Sequence, residues 1–345
     1  MKPTTFAATI TARANAHFTG QRVRPAYVVG PPGVGKTQIA RDIATQMGVG
    51  FIPLHGPLML PEDYGMPMFT PDGKGIEFAT PGGKFPFADR TDIPETGLLL
   101  VDEMGQADNS QQKILANLFQ ERELHGRKLK DGWYIIATGN RTQDRAGSNR
   151  VLSHLNDRIT TYELEVSHED WITWALTRGG VAPEVVSFLN WRPDKLAAFD
   201  PSADKSPTPR AWAEGVSRSI GMVPPEAEFD SYKGDVGEGA AAEFLGFIKT
   251  YRSLPDPDLV LSNPGQAVIP TDMSTLYALC GALAHRATQE TMPNLVAYAK
   301  RLAGAGKGEF MVLLIRDAIR VNPEVVQTSA FVQWSLNEGK EMLGA

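Results

Sequence analysis

The run Gly30-Pro31-Pro32-Gly33-Val34-Gly35-Lys36-Thr37-Gln38 sets an ammonium and a hydroxyl at the end of a glycine-rich turn. That order of residue types suits phosphate. Gly33 and Gly35 let consecutive backbone N–H groups turn inward around a β-phosphate, Lys36 reaches β and γ oxygens, and Thr37 offers its hydroxyl to Mg²⁺. A second pair, Asp102 and Glu103, ends the apolar run Gly97-Leu98-Leu99-Leu100-Val101. Asp102 can hold the magnesium ion through water, and Glu103 can polarise an attacking water. The third candidate is Asn140, which follows Trp133–Ala137 and Thr138-Gly139. An amide there can hydrogen-bond a γ-phosphate or the attacking water. Without the phosphate loop, these last two signals would read as an acidic strand end and a turn asparagine.

These groups need a scaffold that brings their segments to one edge. Ala26–Val29 reads as a buried strand feeding the glycine turn, and the segment after it is helical, with Ile39 and Ile43 on one face. Val49–Leu54, Gly97–Val101, Trp133–Ala137 and the alternating Ile159–Glu165 supply four more strands. Helix-sized connections between them predict an α/β fold with a parallel sheet, which binds ligands beyond its carboxyl ends. Asn109 is the expected cap of a helix carrying Ile114, Leu115, Leu118 and Phe119. Residues 61–95, rich in proline and glycine and punctuated by Phe69, Phe78, Phe85 and Phe87, predict turns and short hairpins. They read either as a substrate-contacting insertion or as a packed cover on the sheet. From His168 onward the pattern is helical, with a proline-rich joint at Leu254–Asp258. The expected domains are an α/β nucleotide-binding domain over 1–165, a helical lid over 166–255 and a helical extension over 256–345.

Composition narrows the class. The 345 residues carry 34 basic and 40 acidic side chains, a net charge of -6, which argues against a general nucleic-acid coat. Local basic candidates remain at Arg127, Lys128 and Lys130. Lys2, Arg13, Arg22 and Arg24 precede the first acidic residue, Asp42, and read either as an arm that touches a partner or as a solvated leader. No apolar stretch is long enough for a membrane span, and Met1–Thr5 lack a secretory signal. The lone Cys280 permits no internal disulfide, and the histidines lack metal-cluster spacing. A cytoplasmic protein is expected.

Taken together, these residues resemble the AAA+ ATPases, and among them the MoxR-like branch. Residues 30–37 are similar to Walker A, Leu98–Glu103 to Walker B and Ala137-Thr138-Gly139-Asn140 to the sensor 1 strand end. Asn156-Asp157-Arg158-Ile159 resembles the arginine-finger segment, and Pro207-Thr208-Pro209-Arg210-Ala211 resembles the sensor 2 segment. The resemblance spans residues 20–255. It implies that Arg158 acts in trans on a neighbour's nucleotide and Arg210 on the γ-phosphate of its own subunit. Val151-Leu152-Ser153 stands where the family carries Leu-Pro-Glu, which keeps Arg150 as a rival for the trans role. The implied protein is a P-loop NTPase that forms a homo-oligomeric, hexameric ring. It would hydrolyse ATP with Mg²⁺ to remodel or activate a protein client, as a chaperone does, with a von Willebrand A-type partner. Residues 256–345 carry no family motif and could serve assembly or client recruitment. Two alternatives are a nucleic-acid motor or loader and a nucleotide-gated scaffold with little turnover; the intact Glu103 argues against the scaffold.

Overall fold

The computed structural model describes residues 1–79, 83–141, 153–200 and 202–339. The chain forms two compact units, Met1–Ser167 and His168–Ala345.

The first unit contains, in order, α1 (Pro3–Phe18), β1 (Ala26–Val29), α2 (Lys36–Met47), β2 (Gly50–His55), α3 (Pro61–Tyr64), β3 (Met66–Phe69) and β4 (Ile76–Ala79). These are followed by β5 (Gly97–Asp102), α4 (Asn109–Glu121), β6 (Glu123–Leu124), β7 (Arg127–Lys128), β8 (Trp133–Gly139), α5 (Ser153–Asn156) and β9 (Thr160–Glu163). The five expected strands pair in parallel in the order β2-β5-β8-β1-β9. Continuous apolar runs form the centre because both faces of β5 and β8 are covered. Leu99, Val101, Ile135 and Ala137 pack with Leu115, Leu118 and Phe119 of α4. Their alternates Leu98, Leu100, Tyr134 and Ile136 pack with Phe6 and Ile10 of α1 and Ile43 of α2. Burying each leucine of β5 contributes about 1.5–3 kcal/mol, so the strand that ends in Asp102 is firmly anchored.

Local chemistry sets the ends of α4. Its cap is Asp108, not Asn109: the Asp108 carboxylate accepts from the N–H groups of Ser110 and Gln111, and the Gln111 side chain accepts from Asp108 N. A cap must sit one residue ahead of the first helical turn to reach those donors. The helix stops at Arg122, whose φ is 56°.

Residues 61–95 divide into two kinds of structure. The antiparallel hairpin β3–β4 exposes Met66, Met68, Phe69 and Ile76. Phe85 and Phe87 are buried beside Tyr64 and form the cover on the sheet. A second hairpin, β6–β7, turns through His125 and Gly126, both with positive φ, the conformation tight two-residue turns require. The His125 ring stacks on Phe78, with centroids 4.1 Å apart and planes 8° from parallel, and so joins the two hairpins.

The second unit is helical among its described residues. It contains α6 (His168–Trp174), α7 (Pro183–Trp191), α8 (Ser217–Ser219), α9 (Glu228–Val236), α10 (Glu238–Arg252), α11 (Pro257–Ser262), α12 (Met273–Ala284), α13 (Met292–Gly304), α14 (Gly308–Val321) and α15 (Ser329–Leu336). π-helical turns occupy Ala175–Gly179 and Ala211–Val216. Phe188, Trp212, Phe244 and Phe247 form an aromatic core. The segment after residue 255 belongs to the same unit: Gly281 of α12 lies so close to Ser187 of α7 that a Cβ would collide with its side chain. Cys280 is fully buried, and its thiol is pushed far above its ordinary range by desolvation.

Candidate active site

Strand order explains the site. β1 delivers the phosphate loop, β5 delivers Asp102 and Glu103, and β8 lies between them and delivers Asn140. Gly33 and Gly35 have φ of 71° and 94°, left-handed values that glycine adopts without steric cost, and α2 begins at Lys36. The Lys36 ammonium donates to Gly30 O at 2.8 Å, Pro31 O at 3.0 Å and Asn140 Oδ1 at 3.0 Å. Asn140 thereby keeps its NH₂ group as a donor. Loop, lysine and amide converge at one edge of the sheet.

Asp102 is 8% exposed, and both its oxygens meet hydroxyls. The Thr37 hydroxyl donates to Oδ2 at 2.8 Å, and the Thr138 hydroxyl donates to Oδ1. A carboxylate and a hydroxyl side by side are hard oxygen donors of the kind magnesium takes, with phosphate oxygens and waters completing its shell. The described residues contain no cluster of three His, Cys, Asp or Glu that would hold a metal without such help. The donor set therefore fits a magnesium ion carried by a nucleotide.

Glu103 turns the chain sharply. Its φ is 54°, left-handed backbone that costs a non-glycine residue about 1–2 kcal/mol. Its N–H donates to Thr138 Oγ1 at 3.0 Å, while its side chain is exposed at the carboxyl edge of the sheet. Thr138 thus clamps both acidic residues at once, a role the sequence reading did not assign to it. Its signal was a hydroxyl in an otherwise apolar strand, and it is completely buried. His55, also unassigned from sequence, ends β2 in register with Asp102 and holds Nδ1 3.7 Å from Asp102 Oδ2.

Arg158 lies elsewhere in the unit. It precedes Thr160, which pairs with Ala26 at the start of β1, whereas the phosphate loop follows Val29 at that strand's far end. β1 alone spans about 13 Å, longer than an arginine side chain, so Arg158 is not part of this cluster. Arg210 belongs to the second unit, where it is exposed just ahead of the π-helical turn. Arg150, with Arg145, lies outside the described residues. Of the basic candidates after α4, Arg127 pairs with Asp89 at 2.8 Å and lies over the Phe87 ring, and Lys130 is buried on Glu95 at 2.6 Å.

Residues 26–161 match the model of the ATPase family associated with various cellular activities (AAA). The α/β core is thus an AAA-type ATPase domain, with the ATP chemistry that such a domain carries in general. No curated protein matches the chain. Among solved structures, a mutant of RuvB from Thermotoga maritima is 12% identical with a TM-score of 0.36, over 96% of this chain and 87% of that one. NtrX from Brucella abortus in complex with ADP is 14% identical with a TM-score of 0.39, over 98% of this chain and 67% of that one. No described helix is long and apolar enough to cross a membrane.

Proposed function

We propose that this AAA-type domain hydrolyses Mg-ATP within a homo-oligomeric ring of MoxR-like, sixfold type, and couples turnover to remodelling or activating a protein client in the cytoplasm. The observation that carries this reading is the network joining Lys36, Thr37, Asp102 and Asn140 at one edge of the sheet. The backbone of residues 30–38 cradles the phosphates, and Lys36 neutralises the β and γ oxygens. Thr37 and Asp102 would hold a magnesium ion, whose charge would offset that of the phosphates. Glu103 accepts a hydrogen bond from the attacking water and draws off its proton, and the Asn140 NH₂ group orients that water or the γ-phosphate. Arg210 reaches the γ-phosphate of its own subunit, and Arg158 that of a neighbour.

A protein client is favoured over nucleic acid by two observations. Leu58, Leu60, Phe69 and Ile76 are each more than 60% exposed on or beside the β3–β4 hairpin, an apolar surface suited to protein. Of the local basic candidates Arg127, Lys128 and Lys130, Arg127 and Lys130 already have carboxylate partners. A von Willebrand A-type partner belongs to the same proposal. Glu103→Gln tests the chemistry: ATP affinity should stay near the parent value while kcat falls by about 10²–10⁴. Hydrolysis by Glu103→Gln at the parent rate would remove Glu103 from the mechanism.

A further inference from the structure

Residues 17–25, the end of α4 at 119–122, residues 131–135 at the start of β8, and Asp157 and Arg158 surround a cavity of about 740 Å³. It lies at the edge where the strands begin, away from the phosphate loop. Its volume is in the range of ligand sites. Arg22 and Arg24, both exposed, and the half-buried Arg158 line it. Among the described residues none of these three guanidinium groups makes a side-chain hydrogen bond or ion pair. The leader's other arginine behaves differently: Arg13 donates to Tyr134 Oη at 2.9 Å, to Thr160 Oγ1 at 3.2 Å and to Arg24 O at 2.8 Å. Tyr134 Oη also donates to Arg24 O at 2.9 Å, so the backbone that launches the Arg24 side chain is fixed. His17 lines the cavity, 8% exposed, with neither ring nitrogen hydrogen-bonded.

These groups are suited to an anion, and the charge balance selects its source. Arg22, Arg24, Arg122 and Arg158 share the cavity with Glu121, Asp131 and Asp157, which leaves about one net positive charge. Arg122 is turned inward, donating to Lys130 O and Trp133 O. A nearly neutral cavity draws in free polyanions weakly. It can hold phosphates that a docked protein surface presents at high local concentration.

We propose that Arg22 and Arg24 join Arg158 in one anion-binding rim that closes on the phosphates of ATP held by a second copy of this chain. This rests on the reading of Arg158 as a trans residue, and it assigns the basic leader a role. Guanidinium forks pair with phosphate oxygens in two-point geometry, and three of them spread the charge that develops during transfer. β1 would then connect two nucleotides, its own at Val29 and a neighbour's at Ala26.

The test is complementation between disabled proteins. Arg22→Gln/Arg24→Gln should bind ATP within about twofold of the parent and lose about 10² in kcat, as removal of transition-state donors does. Its thermal transition should match the parent's, since both side chains are exposed and make no side-chain hydrogen bond or ion pair among the described residues. If the double variant fails to fold, Arg22→Gln alone replaces it. Mixed with Lys36→Ala, the variant should regain activity, because one protein supplies the pocket and the other the rim. Mixed with Arg158→Ala, it should regain none, because every rim then carries a lesion. Parental turnover by the arginine variant, recovery in the Arg158→Ala mixture, or hydrolysis by a monomer would overturn the proposal. Failure of Arg158→Ala to complement Lys36→Ala, with mixed assemblies seen by native mass spectrometry, would instead overturn the trans reading of Arg158 on which it rests.

Discussion

Replacing Thr138 by Val keeps the shape of a fully buried side chain and deletes one hydroxyl. Two hydrogen bonds go with it: the donation to Asp102 Oδ1 and the acceptance from Glu103 N at 3.0 Å. A hydrogen bond to a charged group contributes about 1.5–3 kcal/mol, and an N–H left without a partner costs about 1–3 kcal/mol. The two effects share one hydroxyl and do not simply add, so the expected loss is about 2–4 kcal/mol. For a unit of this size that lowers Tm by about 4–16 °C, at about 2–4 °C per kcal/mol. The relevant transition is the one ATP raises, since a ligand bound at 100 times its Kd adds about 2.7 kcal/mol to the unit that holds it. Function should fall with stability. Glu103 sits in left-handed backbone at about 1–2 kcal/mol of strain, and without the Thr138 acceptor that turn can relax and carry its carboxylate away from the γ-phosphate. Thr138→Ser, which retains the hydroxyl, should recover most of kcat. A Thr138→Val protein with Tm within about 2 °C of the parent and unchanged kcat would refute this account of the clamp.

Lys36→Ala should abolish ATP binding in calorimetry, and unchanged affinity would defeat the phosphate-loop assignment. Replacing residues 67–78 with a short glycine linker should leave basal hydrolysis within about twofold and weaken action on a client. The cut must spare Lys84, which pairs with Asp63 at 2.7 Å, and the buried Phe85 and Phe87; a lost thermal transition would show that the hairpin belongs to the core. Burial, with the Arg122 charge nearby, holds the His17 pKa below its ordinary 6.5. Protons then bind the unfolded chain first as pH falls through 6.5, so stability is lost on the acid side, and His17→Phe should make denaturation midpoints between about pH 7.5 and 5 less pH-dependent. An unaltered slope would count against burial as the cause.

What could be read from sequence was what period and spacing encode. β5 and β8 are buried on both faces, so their apolar runs stand out, and the residues that follow them fall at the carboxyl edge by topology. Asp102 and Asn140 were legible for that reason, and Lys36 through the glycine-rich turn that precedes it. The placement of Thr138 was not, because a threonine at a strand end carries no mark of a hydroxyl shared between two acidic neighbours. Asp108 and Asn109 are both able caps, and only the start of the first turn decides between them. Residues 61–95 read ambiguously because their aromatics divide between an exposed hairpin and a buried cover. Arg158 is far in sequence from Arg22 and Arg24, and the pairing of Ala26 with Thr160 brings it to their cavity.

Helix α4 begins just beyond the strained Glu103 turn and ends at Arg122, which lines the cavity and leads directly into the β6–β7 hairpin. Its 13 residues make a continuous rod about 20 Å long, capped at its start and packed along its length by Leu115, Leu118 and Phe119. A helix resists compression far better than a loop, so an axial shift at Met104–Gln106 displaces Arg122 and His125 by nearly the same distance. Through the stacked rings of His125 and Phe78 that stroke reaches the exposed apolar hairpin. If turnover changes the shape of the Glu103 turn, the distance it moves sets the displacement that α4 passes to the hairpin. Distances between spin labels at Ser110 and Gly73, measured with and without a nucleotide analogue, would read that stroke in ångströms.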